Sequence, residues 1–428
     1  VLVEDPAMSE SRDQEAPLRV AMVSRRVHPA HGPGGLERHV FELVRNLAGR
    51  GVEIDLFSET PSDGQKAQML VSSLPGNAVV HWVPGRWLPI GDRRGTVVMD
   101  RITNYPAWAL RVWRWMTRVA ATEGGSPRWT LAHVHGMAGW GLARAAQKNR
   151  IVFPLLLTTQ GFEEFRAPGL LKHLAYAPFR AAVRTVAAAS AAVVTTDKAL
   201  QPLVAQHLGI PPAEQIVIPN AVNAEECRQM ADPERGRAIL EELGLSGAVP
   251  LFLSVGRIAP NKGFGLLAAA FAKVGARLPE SWAWLLVGDG PDRYRVEAVV
   301  ASAGLEGRCR LAGSLPDSDM HSLYAVADWF VHPTQYEGSS IVTLEAMAHG
   351  LPVIATRTGG LPDKVVDGVT GRLVEPGSAG DLAAALEWAS GADSASLGRA
   401  GQELCQERFS WSAAGHQYLD LYRTLAVR

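Results

Sequence analysis

Short apolar runs alternate along this chain with longer stretches in which apolar residues return every three or four positions. LRVAMVSRR (18–26) is apolar and partly β-branched through its middle, the pattern of a parallel strand buried on both faces. The glycine loop HGPGG (31–35) follows. Then Leu36, Val40, Leu43, Val44 and Leu47 recur at helical spacing until Gly49 and Gly51. VEIDLFSE (52–59) is the next predicted strand. The same grammar restarts at VPLFLSVGRI (249–258), a strand leading into PNKGF and the helix GLLAAAFAKVGARL. It continues through the strand WAWLLVGDGP (282–291), RCRLAGSL, the helix MHSLYAVAD, the strand DWFVHPT, the helix IVTLEAMAHG and LPVIATRTGG. Two such series predict an α/β chain of two Rossmann-like, doubly wound domains facing across a cleft. The expected limits are a flexible leader at 1–17, an N-terminal domain at 18–222 and a C-terminal domain at 223–407. A last helix is expected within 408–428. Ligands of such sheets bind beyond the carboxyl ends of the strands, so the loops there are where chemistry is expected.

Composition narrows the picture without changing it. A length of 428 residues at 47% apolar suits two cores better than one, and no apolar run reaches the length of a membrane span. The N-terminal VLVEDPAMSESRDQEAPLR is acidic and polar where a signal peptide is basic and then apolar, and Met8 is a candidate start. Cys227, Cys309 and Cys405 are far apart, which excludes CxxC zinc spacing and points to a reducing cytosol. A cytoplasmic location, with the inner face of the membrane as a possible setting, follows. Residues 1–222 hold 24 Lys and Arg against 18 Asp and Glu, net +6, and the remainder hold 18 against 25, net −7. A basic first half can attract an anionic acceptor or membrane surface, and a solvated surface with chance asymmetry is equally compatible. No lysine-rich run points to nucleic acid.

The candidate chemistry sits in the predicted loops. HPTQYEGSSIVTLEAMAHG (332–350) places Gly338, Ser339 and Ser340 between a strand and a helix. The helix N-terminus offers free N–H groups and partial positive charge, Gly338 lets backbone approach closely, and the serines add hydroxyl donors. Phosphate is the expected anion. Glu345, inside the helix, is placed to accept hydrogen bonds from a vicinal diol, and Glu337, on the loop, lies nearer whatever is beyond the phosphates. Each taken alone is more ordinarily a solvated surface acid. SVGRIAPNKGF (254–264) adds Arg257 and Lys262 at another strand end, a fork and a point charge suited to a diphosphate. Gly34 and Gly35 open the first helix across the cleft and contribute backbone donors.

These segments together resemble retaining glycosyltransferases of family four, which have the GT-B architecture, over nearly everything from Leu18 onward. PGGLERHV, VGRIAPNKG, LVGDGP, PNAVN and GGLPDKVVDGVTGRLVEPG match family segments, and EGSSIVTLEA matches the Glu-x7-Glu signature. The resemblance implies transfer of a sugar from a nucleotide-diphosphate sugar, UDP-sugar favoured, to a hydroxyl acceptor such as a glycan, glycolipid or natural product. It assigns Glu337 to the transferred sugar, Glu345 to the ribose, Arg257 and Lys262 to the diphosphate, and Gly338, Ser339, Ser340 and Ile341 to the donor loop. It also implies that FSWSAAGHQYLDLYRTL crosses back to the N-terminal domain.

The departures are specific. Relatives often carry EGFG where this chain has Glu337-Gly338-Ser339-Ser340. Many carry His before the glycine of TTQGFEEF, where this chain has Gln160, an amide that bonds a sugar hydroxyl but carries no proton. His135, in HVHG with His133, is a further sugar-side candidate against an ordinary packed histidine. Asp317-Ser318-Asp319 has the form of a metal-binding D-x-D, but it precedes a helix and is expected to cap it, leaving metal-independent transfer. RITNYPAWALRVWRWMTRVAA (101–121) mixes Trp and Arg as a helix lying on a membrane would, with core packing as the competing expectation. A nucleotide-sugar epimerase on the same fold and a non-catalytic sugar-binding protein remain as alternatives. A dehydrogenase is weaker, because neither domain shows G-x-G-x-x-G after its first strand.

Overall fold

The computed structural model describes residues 18–32, 34–85, 97–121, 129–159, 161–162, 164–165 and 169–427. The expected leader at 1–17 lies outside them. Seven strands form the first sheet: β1 (Arg19–Val23), β2 (Glu53–Glu59), β3 (Ala78–Val83), β4 (Leu131–His135), β5 (Leu155–Thr159), β6 (Ala192–Thr195) and β7 (Gln215–Val217). Six form the second: β8 (Leu251–Val255), β9 (Ala283–Val287), β10 (Cys309–Gly313), β11 (Trp329–His332), β12 (Val353–Thr356) and β13 (Gly371–Val374). Their orders are β3-β2-β1-β4-β5-β6-β7 and β10-β9-β8-β11-β12-β13. Every pairing is parallel. Each sheet therefore reverses its winding once, between β1 and β4 and between β8 and β11. Such a reversal leaves a crevice at the carboxyl ends of the two strands.

The strands are shorter than the apolar runs that announced them. Pairing in the 249–258 and 282–291 runs stops where Gly256 and Gly288 take φ of 152° and 137°. The two loops then stack backbone on backbone: a Cβ on Gly288 would lie 2.0 Å from the Gly256 carbonyl oxygen, and one on Gly290 2.1 Å from that of Ile258. The glycines of LVGDGP are there because nothing larger fits between the loops.

Both faces of the first sheet are covered. On one, the helix Asn104–Ala121 buries Trp108, Ala109, Val112 and Met116, while Trp113 and Trp115 pack at the margin of the same core. Its three tryptophans thus face the protein's own interior, as the core-packing expectation for 101–121 has it, while Arg114 and Arg118 are exposed. Among the described residues no helix is long and apolar enough to cross a membrane. On the other face, the helix Gly35–Ala48 shares a core with the last helix, Trp411–Ala426, which buries Trp411, Ala414, Tyr418, Tyr422 and Leu425 against β1 residues Val20 and Met22. The last helix thus packs on the first sheet after the preceding helix, Ser394–Arg408, has packed on the second. The two crossings between sheets run side by side, with Val222 N–H donating to the Phe409 carbonyl at 2.9 Å.

Tyr422 also closes a polar network. Its hydroxyl meets His133 Nδ1 at 2.6 Å while Thr158 Oγ1 meets Nε2 at 2.7 Å, satisfying both nitrogens of a buried ring. Tyr422→Phe is expected to strand one of them and cost about 1–3 kcal/mol, read as a lower urea midpoint. An unchanged midpoint would show that the pair contributes nothing net.

Candidate active site

The crevice in the second sheet is built by the loops after β8 and β11. Thr334 Oγ1 donates within its own loop to the Tyr336 carbonyl at 2.8 Å, and the Gln335 N–H bonds Asn261 O at 2.8 Å, so the two loops hold each other. The helix Ile341–Ala348 starts at Ser340, whose Oγ accepts from Thr343 N at 3.3 Å. That hydroxyl, expected to face an anion, lines the cleft and also caps its own helix. Ser339 differs: its Oγ accepts from Lys364 Nζ at 3.1 Å, and its hydroxyl also hydrogen-bonds the buried Asp197 carboxylate, while the residue itself lines the cleft.

A cavity of about 460 Å³ lies over these loops. Gly34 and Gly35 line it from the first sheet's side, and Arg257, Lys262, Glu337, Ser339, Ser340, Ile341 and Glu345 from the other. Gly338 is half-buried and does not line it; its carbonyl accepts from Gly360 N at 3.0 Å. A Cβ on Gly35 would sit 3.9 Å from Ile341 Cδ1, so the starts of helices Gly35–Ala48 and Ile341–Ala348 face each other across the cavity. Two helix N-termini and two cationic side chains converge there, which is the electrostatic form of a diphosphate site. Arg257 is exposed and has no ion-pair partner among the described residues.

The two acids experience opposite environments. Glu337 Oε2 lies 2.7 Å from Lys262 Nζ and 2.8 Å from His332 Nε2. Burial pushes its pKa up, but the His332 hydrogen bond and the Lys262 charge outweigh that and hold it well below the usual carboxylate range. Glu345 is 4% exposed, with Arg38 Nη1 at 3.5 Å. Burial raises its pKa against the opposing Arg38 charge. Its Oε2 is buried without a hydrogen-bond partner among the described residues.

The profile of Glycosyltransferase Family 4 matches residues 33–226, and that of Glycosyl transferases group 1 matches 237–398. A D-inositol 3-phosphate glycosyltransferase from Geodermatophilus obscurus is 30% identical over 391 residues, covering 86% of this chain and 82% of its own. The protein of that name from Corynebacterium efficiens is 28% identical and covers 95% of both chains.

The chain belongs to glycosyltransferase family 4.

The solved structure of sucrose-phosphate synthase from Thermosynechococcus elongatus matches with a TM-score of 0.76 at 24% identity, over 95% of this chain and 99% of that one. Anabaena HepE, solved with UDP-glucose, matches with a TM-score of 0.71 at 19% identity, over 95% and 100%. Both show the shared GT-B fold. This family-four member is a glycosyltransferase that uses a nucleotide-sugar donor.

Several features of this glycosyltransferase were not anticipated. Arg38, one turn into the first helix, crosses the cleft to Asp317 Oδ1 at 2.5 Å and to Glu345. PGGLERHV was informative for its glycines, and nothing in spacing alone distinguishes Arg38 from a solvated helix cation. His332 is the last residue of β11, and its position at a strand's carboxyl end was the available signal. Asp317 and Asp319 are not caps: their helix, Asp317–Tyr324, follows Pro316 with no side-chain cap bond. Asp317 binds Arg38, and Asp319 binds Arg235 Nη2 at 3.0 Å, so the two carboxylates are directed to separate guanidinium groups. His135 does not line the cavity. It is 2% exposed and stacked on His133 at 4.7 Å, and burial drives its pKa well down. Gln160 lies outside the described residues.

The depressed pKa of Glu337 has a thermodynamic sign. Its folded value lies below its unfolded value near 4.5, so its ionisation stabilises the fold at neutral pH. That contribution fades as pH falls from there toward the folded value. Glu337→Gln should therefore flatten the loss of urea midpoint between about pH 5 and pH 3. An unaltered slope would mean that the Lys262–His332 clamp does not hold the charge.

Proposed function

We propose that this chain is a retaining, metal-independent glycosyltransferase that moves a sugar from a UDP-sugar to an acceptor hydroxyl. The cavity at the switch point carries the proposal: opposed helix N-termini, Arg257 and Lys262 for the diphosphate, and an acid at either flank. The C-terminal domain, 223–407, holds the donor and the N-terminal domain, 18–222, presents the acceptor.

The unpartnered Oε2 of Glu345 supports its role at the ribose, since a buried acceptor without a donor is costly until a ligand hydroxyl supplies one. Glu337 stays ionised and addresses the hydroxyls of the transferred sugar. Lys262, held by Glu337 and lining the same cavity, can bridge that carboxylate to a donor phosphate. Fixed positive charge on the departing diphosphate lowers the barrier because it needs no reorganisation as negative charge develops. In the front-face course we favour, the C1–oxygen bond to the diphosphate breaks and a C1–oxygen bond to the acceptor forms on the same face. The acceptor proton passes to the departing phosphate oxygen. The positive groups already present at the diphosphate support metal independence. Relatives named for D-inositol 3-phosphate make a phosphorylated polyol the first acceptor to assay.

Glu337→Gln should lower turnover about 100-fold with donor affinity nearly kept, whereas Glu345→Ala should raise the donor KM about tenfold or more. Wild-type rates in both would reject these roles. Full activity after EDTA treatment is expected, and complete loss would show that a metal is required. A donor sugar that changes configuration without any acceptor would identify an epimerase instead.

A further inference from the structure

The segment after β12 touches both halves of the cleft. Asp363 Oδ2 accepts from the Lys198 N–H at 2.7 Å, on the loop after β6. The next residue, Lys364, pairs with Asp197 on that same loop, and the two side chains are 0% and 1% exposed. The ammonium also donates to Ser339 Oγ at 3.1 Å and to the Gly360 carbonyl at 3.3 Å. All three of its protons therefore have acceptors, one from each of three segments. Gly360 N–H bonds the Gly338 carbonyl at 3.0 Å. The fit admits no side chains: a Cβ on Gly360 would lie 2.0 Å from Asp197 Oδ1, and one on Gly359 1.9 Å from the Glu337 carbonyl oxygen. Residues 359–364 are thus wedged between the loop after β6 and the backbone of Glu337 and Gly338.

We propose that Lys364 is a positioning residue that ties Ser339 and the Glu337 loop to Asp197, so that the donor loop holds its transfer geometry only while the opposite domain is docked. This rests on the donor-site assignment and adds a coupling between the domains to it. Lys364 does not line the cavity and acts through Ser339. A buried charge pair is a costly way to obtain stability alone, because an apolar pair of similar size does as well or better. Here the ammonium has a second task, since no apolar side chain can donate to Ser339.

The test uses Lys364→Met and Asp197→Leu, singly and together, with UDP affinity by calorimetry, UDP-glucose hydrolysis without acceptor, and Tm. Each single variant strands a buried charge and should lose both Tm and hydrolysis. The double variant should regain Tm while hydrolysis stays about tenfold down and UDP affinity stays within about threefold. Recovery of hydrolysis together with Tm in the double variant would make the pair merely structural and overturn the proposal, as would a wild-type rate in Lys364→Met. A wild-type chain that binds neither UDP nor any other nucleoside diphosphate would overturn the donor site as well; normal binding with unchanged variants overturns this proposal alone.

Discussion

Glu337 keeps a negative charge largely out of solvent, and that is tolerable only because Lys262 and His332 meet the same carboxylate oxygen. The three groups come from the loop after β8, the end of β11 and the loop after β11. β8 and β11 are hydrogen-bonded neighbours, although Lys262 and His332 are far apart in the chain. The reversal of winding at this pair makes the meeting possible: the helices after the two strands leave toward opposite faces, and the loops between strand and helix are left open to a ligand. Placing the same residues after strands on one side of the reversal would cover them with a helix.

Charge also organises the join between the sheets. Arg38 reaches Asp317 and Glu345, Arg45 reaches Glu226, and Asp197 reaches Lys364. The exposed members of such a set contribute little to stability, but buried ones fix register because a misplaced partner leaves an unpaired charge behind. The last helix adds an apolar tie by completing the first sheet's core. The cleft is held by directional polar contacts at its walls and by packing at its far edge.

Much of this was legible before any coordinates. Strand runs such as LRVAMV and LFLSV were visible as continuous apolar stretches because both faces of a parallel sheet are covered. Arg257, Lys262 and Glu337 stood out because they sit close to glycines beyond those runs, and Glu345 because it is the one acid inside the apolar helix IVTLEAMA. Ser340 could be placed at a helix start from the sequence, but the bond its Oγ accepts from Thr343 N could not, because that depends on a distance. The Asp317–Asp319 pair was misread as a helix cap, since the cations that bind these acids lie on other helices. The tryptophans of 101–121 looked available to a membrane because periodicity shows which residues share a stripe, not what covers it.

By itself, the sequence determined the alternation of strand and helix, the two-series organisation and the loops in which anion-binding chemistry could occur. These depend on local properties: which side chains are apolar, at what spacing, and where glycine or proline interrupts them. Tertiary structure alone decided the partners. His332 at Glu337, Arg38 at Glu345, Asp197 at Lys364 and Tyr422 at His133 join residues from separate elements, and a charge or hydrogen bond is selected by distance and burial, neither of which is carried by position along the chain.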